Sequence, residues 1–206
     1  MTLTTIDPAS ALVVIDLQKG IVSAHADRPV IAAVERAARL AAEFRRHDLP
    51  VVLVNVTGRA PGRTEAGSTP ARTEAGSTPA RTEAVRSTGG TALPSDWADL
   101  VDELDVQPTD HLISKRRRSA FHGTGLDTLL RDLGVTQTVL AGISTSSGVE
   151  STARSASDHG YHVVLVTDAM SDPDADSHRH SVERVFPKLG ETATTAEVID
   201  MVGATR

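Results

Sequence analysis

The chain is 206 residues long, carries a formal net charge of -6 and contains no cysteine. That length points to one domain rather than two. The missing cysteine removes disulfides, thiolate metal sites and any thiol nucleophile, and the acidic balance argues against broad nucleic-acid binding. Aromatic residues make up only 2%, so the core must be built from Val, Leu, Ile and Ala. No apolar run approaches the ~20 residues that span a bilayer. The first ten residues lack a basic stretch followed by an apolar one, so no secretory signal and a cytoplasmic location are expected.

Residues 11–15 (A-L-V-V-I) form a continuous apolar run that ends in Asp16. A strand buried on both faces of a parallel sheet reads this way, and a carboxylate at its C-terminal end lies where open α/β sheets hold ligands. Asp27 and Pro29 start a helix. Ile31, Val34, Ala38, Ala41 and Phe44 are expected on its apolar face, with Glu35, Arg36, Arg39, Glu43 and Arg45 opposite. Residues 51–56 (V-V-L-V-N-V) read as the second strand. A nonapeptide, R-T-E-A-G-S-T-P-A, then occurs at 63–71 and again at 72–80, and starts a third time at Arg81. It is too short, polar and rich in Gly and Pro for a solenoid, and reads as a flexible loop over about 59–92, with a lid as the functional alternative.

A short helix is expected over 97–104 and a third strand over 111–114. The strand runs into Lys115, Arg116, Arg117 and Arg118. The basic run reads as a solvated turn, since no aromatic platform for nucleic acid accompanies it. Leu126, Leu129, Leu130 and Leu133 mark another helix, closed by Gly134. Residues 138–142 read as a buried strand and 143–147 as a sharp loop. The helix beyond carries Val149, Thr152, Ala153 and Ala156 on one face and ends at Gly160. Ser147 and Glu150 are spaced as a capping box. A loop feeding a helix in this way offers backbone N–H groups to an anion. Residues 161–167 make a fifth strand, and Asp172-Pro173 opens a helix through Val182, Val185 and Phe186. Asp172, Asp174, Asp176, His178 and His180 match no strict metal spacing, and acidic residues suit a helix start. A short strand over 192–194 and a final helix capped by Thr194 and Glu197 complete the chain. Strands alternating with helices predict an α/β fold with a parallel sheet covered on both faces. No G-x-G-x-x-G follows the first strand, so a dinucleotide is not expected.

Three motifs in order carry a family resemblance: Asp16-Leu17-Gln18 after the first strand, Lys115 through Ser119-Ala120-Phe121 after the third, and Gly142-Ile143-Ser144-Thr145-Ser146-Ser147-Gly148-Val149 after the fourth, continued by the Thr152-Ala153 helix. Together they resemble the isochorismatase-like hydrolases of the cysteine hydrolase fold. The resemblance implies a three-layer α/β/α Rossmann-like sandwich with a six-stranded, mainly parallel sheet. It marks Asp16 and Lys115 as catalytic and implies a cis peptide between Ile143 and Ser144. It also places Gly148 where most relatives carry the nucleophilic cysteine. Gln18, Arg117, Phe121, Ile143, Ser144, Thr145 and Ser147 are the positions it marks for substrate contact, and it implies that the arginines beside Lys115 help hold an acidic substrate. No cofactor, metal, nucleic acid or membrane is implied. The expected partners are a small carboxylated substrate and further copies of the chain, as a dimer or tetramer.

In cysteine-bearing relatives an Asp takes the thiol proton, a Lys stabilises charge, and the thiolate attacks an amide carbonyl held by loop N–H groups. Without cysteine that thioester route is closed. One remaining reading is acid-catalysed hydrolysis of a vinyl ether, with Asp16 delivering a proton and no covalent intermediate. Burial would keep Asp16 protonated, while Lys115 pulls the other way. A second reading makes Ser146 or Ser147 the nucleophile. A third is a catalytically inactive small-ligand-binding or scaffold protein on the same fold.

Overall fold

In the computed structural model, residues 3–25, 27–57 and 93–204 are described. The nonapeptide repeat, and with it the expected loop over about 59–92, lies outside them. The elements run β1 (Ser10–Ile15), α1 (Lys19–Val22), α2 (Arg28–Arg46), β2 (Val51–Val56), β3 (His111–Lys115), α3 (Leu126–Asp132), β4 (Gln137–Ile143), α4 (Glu150–Asp158), β5 (His162–Ser171), α5 (Ala175–His180), β6 (Glu191–Ala193) and α6 (Thr195–Ala204). The six strands form one sheet in the order β3-β2-β1-β4-β5-β6, and every neighbouring pair is parallel. The expected three-layer α/β/α sandwich is therefore present.

The central strands are apolar because both of their faces are covered. Alternate residues of β1 belong to different cores. Leu12 and Val14 pack with α2 and α6 through Leu40, Phe44 and Val198. Ala11, Val13 and Ile15 pack with α3 and α4 through Leu126, Leu130, Val149 and Ala153. Full burial of a side chain such as Leu40 or Phe44 contributes about 1.5–3 kcal/mol.

Several elements differ from the sequence expectation. Asp27 caps α2 as expected, its carboxylate accepting from the Val30 N–H, with Pro29 in the first turn. The buried stripe, however, is Val30, Ala33, Val34, Ala37, Leu40, Ala41 and Phe44. Ile31, placed on the apolar face, is 48% exposed, whereas Glu43, placed on the polar face, is only 5% exposed. Glu43 is tolerated there because it accepts from Arg46 and lies 3.0 Å from His47 Nε2. The expected helix over 97–104 is instead a turn, a bridge between Leu100 and Gln18, and a 3-10 turn at Asp102–Leu104. Val101 and Leu104 are drawn into the α2-side core, and that pull overrides helical periodicity. Strand β5 runs four residues past the expected end at Thr167, and its pairing to β4 shifts between Leu140 and Gly142. Such a bulge re-aims side chains; here the Asp168 carboxylate accepts from Thr195 N at 2.7 Å and from Thr195 Oγ1 at 2.9 Å. The capping box at Thr194 and Glu197 forms as expected, with Thr194 N donating to Glu197 at 2.7 Å. Among the described residues, no helix is long and apolar enough to cross a membrane.

One glycine sets the spacing of the two middle strands. Gly142 pairs with Ile15 and has φ +119°. A Cβ added there would stand 2.1 Å from the Ile15 carbonyl oxygen and 2.6 Å from its nitrogen. Gly142→Ala is therefore expected to cost ~3 kcal/mol or more. Gly125→Ala, at a position with open space around it, should stay within ~0.5 kcal/mol of wild type. Urea denaturation of the two variants checks the contrast, and equal stabilities would refute it.

Candidate active site

The strand order reverses at β1, so the crevice between the C-terminal ends of β1 and β4 is the topological switch point, where α/β sheets bind ligands. Asp16 stands at the end of β1, with φ +55°. Its N–H donates to the Val54 carbonyl at 2.8 Å, and its own carbonyl accepts from Gln18 N at 2.9 Å. The chain thus turns sharply and aims the carboxylate over the sheet edge. Lys115 ends β3 and reaches past the end of β2. Its Nζ donates to Asp16 Oδ2 at 2.7 Å and to the Arg117 carbonyl at 3.1 Å. Asp16 is 6% and Lys115 3% exposed. The third component is Gly148. A Cβ built on it would lie 3.0 Å from Asp16 Oδ2, 3.1 Å from Ile15 Cγ2 and 3.4 Å from the Ile143 carbonyl oxygen. A side chain at position 148 would therefore emerge against the carboxylate.

Two opposed forces act on Asp16. Burial disfavours its charged form, and Lys115 favours it through its charge and hydrogen bond. Burial is the larger, and the carboxyl is pushed up from 3.8 to about 6. Its Oδ1 is buried with no hydrogen-bond partner among the described residues. An ammonium only donates, so Oδ2 is held as an acceptor and the proton of the neutral acid belongs on Oδ1.

The loop after β4 is tied from outside. The Ile143–Ser144 peptide is cis. Residues Thr145–Val149 form a wide, π-type turn that runs directly into α4. The expected capping box at Ser147 and Glu150 does not form. Ser147 N bonds to the Ser144 carbonyl at 3.1 Å, while the Glu150 carboxylate binds Arg154 and the Ser181 hydroxyl. Thr145 is buried, with its Oγ1 2.9 Å from His178 Nδ1. Ser146 donates to Asp172 Oδ2 from N at 2.8 Å and from Oγ at 2.7 Å. The Ser146 N–H, read from sequence as part of an anion site, is thus used by a carboxylate of the chain itself. Ser146 Oγ faces Asp172 rather than Asp16, which removes the reason for reading it as a nucleophile.

Asp16, Lys115 and Gly148 are brought together, with the carbonyls of Ile143 and Arg117 beside them. Gln18 is close but committed. Its Oε1 accepts from Val56 N at 2.8 Å, and its Nε2 donates to the carbonyls of Val56 at 3.2 Å and Trp97 at 3.0 Å. It clamps residues 93–101 across the sheet edge. Phe121 is not at this edge. It stacks on His159 at the far end of α4 and lies 5.9 Å from Tyr161, just before β5 begins. The Arg117 side chain is exposed. Asp172 and His178, which hold the loop, were visible in sequence only as members of an acidic, histidine-rich cluster. Two further members are also occupied: Asp174 caps α5 and Asp176 pairs with Arg179. No group of three or more His, Asp or Glu side chains forms a metal-binding cluster among the described residues.

A parallel sheet with a buried carboxylate–ammonium pair at its switch point defines an α/β protein with a compact acid–base site. The isochorismatase domain matches residues 10–197, and the chain belongs to the isochorismatase family of hydrolases. An uncharacterised isochorismatase family protein of Bacillus subtilis is 38% identical over 94% of each chain. A ureidoacrylate amidohydrolase of Methylobacterium radiotolerans is 32% identical, over 96% of this chain and 81% of that one. The structure of an isochorismatase family protein from Burkholderia thailandensis, 37% identical, superposes with a TM-score of 0.76 over 97% of this chain and 98% of the other.

The raised Asp16 pKa has a stability consequence. Between 3.8 and about 6 the folded chain holds a proton that the unfolded chain has released, so stability falls as pH rises through that window, by about 3 kcal/mol in all. Asp16→Asn keeps an acceptor for Lys115 and has no proton to lose. It is expected to match wild type at about pH 4 and to exceed it by up to about 3 kcal/mol above about pH 7. Denaturation at a series of pH values tests this, and a stability difference independent of pH would contradict it.

Proposed function

We propose that the chain hydrolyses a small carboxylated enol ether by general acid catalysis at Asp16. The observation that carries this reading is a buried carboxyl with its Oδ2 held by Lys115, its Oδ1 without a partner among the described residues, and glycine rather than a nucleophile beside it. The Oδ1 proton passes to the terminal enol carbon, and the electron pair of the carbon–carbon double bond forms the new C–H bond. The ether oxygen stabilises the resulting oxocarbenium ion. Water adds to that cation and gives its proton to the Asp16 carboxylate. The hemiketal then collapses to an alcohol and a 2-oxo acid. Lys115 retains one donor beyond its bonds to Asp16 and Arg117, and this donor serves the substrate carboxylate. Gly148 puts no side chain against the acid. Ser144, Thr145, Ser147 and Ile143 supply the wall on the β4 side.

A relative's name favours a second reading. Ureidoacrylate amidohydrolases act on an amide of a carboxylated compound. Without cysteine, amide hydrolysis here would need water as nucleophile and ionised Asp16 as base. The two readings have opposite pH signs, because Asp16 changes form at about 6.

Isochorismate is the first substrate to try, with release of the 2-oxo acid pyruvate followed. Wild type should turn it over, and Asp16→Ala and Asp16→Asn should each lose at least ~100-fold in kcat/KM. Activity of wild type should fall about tenfold per pH unit above about 6. A rate that rises through this range, or turnover of ureidoacrylate in its place, would favour the base mechanism. Turnover of neither compound, with ligand-induced stabilisation retained, would favour a catalytically inactive binding protein.

A further inference from the structure

Thr152 lies on the buried face of α4 among apolar neighbours that include Val149, Ala153 and Ala156. Valine has the same shape and would fill the same space. A hydroxyl in so dry a place is stable only when its hydrogen bonds are made, and this one makes two. Its Oγ1 donates to the Gly148 carbonyl at 2.7 Å and accepts from the Ala120 N–H at 3.0 Å. A threonine that bonds back to the carbonyl four residues earlier is ordinary in a helix. The bond from Ala120 is not, because it comes from another segment, the one that follows Lys115. Thr152, Ala120 and Gly148 are all buried.

This relay closes a ring around the acid. Lys115 Nζ holds Asp16 Oδ2 at 2.7 Å and the Arg117 carbonyl at 3.1 Å. The same segment continues to Ala120 and passes through Thr152 Oγ1 to Gly148. Gly148 in turn stands against Asp16, since a Cβ there would lie 3.0 Å from Oδ2. A second tie, from Ser119 Oγ to Ser155 Oγ at 2.8 Å, lies further along α4 and does not reach Gly148. The charged groups nearby offer no other hold on Asp16. Lys115 is the charged group that acts on it. Arg116, Arg117 and Arg118 are exposed. Glu150 of α4 is bound by Arg154 and Ser181. Asp172 holds Ser146, and Asp96, Asp99 and Asp102 gather around Lys19.

We propose that Thr152 is a positioning residue of the acid site: its hydroxyl locks the segment after Lys115 to the backbone of Gly148 and so keeps the protein closed around Asp16. The proposal rests on the reading of Asp16 and Lys115 as the reacting pair, and its test needs no substrate. Thr152→Val removes both bonds and lets the two segments part. Water then reaches Asp16, the burial that raises its pKa weakens, and Lys115 still favours the charged form. NMR titration of the side-chain carboxyl carbons follows this, with the Asp16 signal assigned by its loss in Asp16→Asn. Wild type should titrate at about 6, and the midpoint should fall by about one pH unit in Thr152→Val. Thr152→Ser keeps the hydroxyl and should restore it. Thr138 Oγ1 is buried without a partner among the described residues, so Thr138→Val makes the same chemical change with no bond to lose and should leave the midpoint in place. A merely structural loss would not separate these variants. Thr152→Ala carries the same expectation as Thr152→Val and decides the question if Thr152→Val does not fold. At pH 7 a midpoint lower by about one pH unit leaves about one tenth as much protonated acid, so kcat for an enol ether should fall about tenfold with KM within about twofold. A midpoint unmoved in the Val and Ala variants, moved as far in Thr152→Ser or Thr138→Val, or already ordinary in wild type would overturn the proposal. A lowered midpoint without turnover of any enol ether would sink the reaction and leave the positioning role standing. Turnover with the midpoint unmoved would do the reverse.

Discussion

Ile15 of β1 lies directly against Gly142 of β4, and the backbones approach so closely there that no side chain fits between them. The chemistry above this contact depends on it. Because the two strands meet at the reversal of the sheet order, β1 and β4 release their following segments in different directions and leave a crevice. Asp16 is delivered to one wall of that crevice and Gly148 to the other. Lys115 comes from two strands away, over the end of β2. Three short pieces of chain, far apart in sequence, converge because each leaves the same edge of one parallel sheet.

At that edge the decisive balance is electrostatic. An ammonium 2.7 Å from a carboxylate would by itself lower the acid, yet the acid rises because both groups are nearly dry. Moving a charge out of water costs several kcal/mol, and one close partner does not fully offset it. A surface pair of the same geometry would keep most of its hydration and contribute little. The protein thus holds a carboxyl that can give up its proton near neutral pH. The pairing also fixes which oxygen carries that proton, since Lys115 can only donate.

Around this pair the polar groups are largely committed. Gln18 satisfies β2 and residues 93–101, Asp172 and His178 hold the loop after β4, and Thr152 carries a hydrogen bond onward from Ala120 to Gly148. Such a shell holds the three central residues in place. Within the site, Asp16 Oδ1 is left without a hydrogen-bond partner among the described residues.

Much of the fold was legible in the chain itself. Runs such as Leu12 to Ile15 and Val51 to Val54 can be buried on two faces only in a covered parallel sheet, so period and composition specify the architecture. The Thr194–Glu197 cap was equally local, since a capping box needs only its own four residues. The motifs also marked Asp16, Lys115 and Gly148. What failed was whatever a distant partner decides. Ser147 does not cap because the wide turn starts earlier, and Phe121 is carried down α4 by the tether at Ala120. Gln18 looked like a ligand-binding group until its partners were seen to be backbone groups of β2 and Trp97. Sequence by itself therefore determined the layers and the place of Asp16 at the end of β1, because these follow from local pattern. Only the tertiary structure decided that burial outweighs Lys115 at Asp16, because desolvation and charge depend on how segments far apart in sequence are packed together.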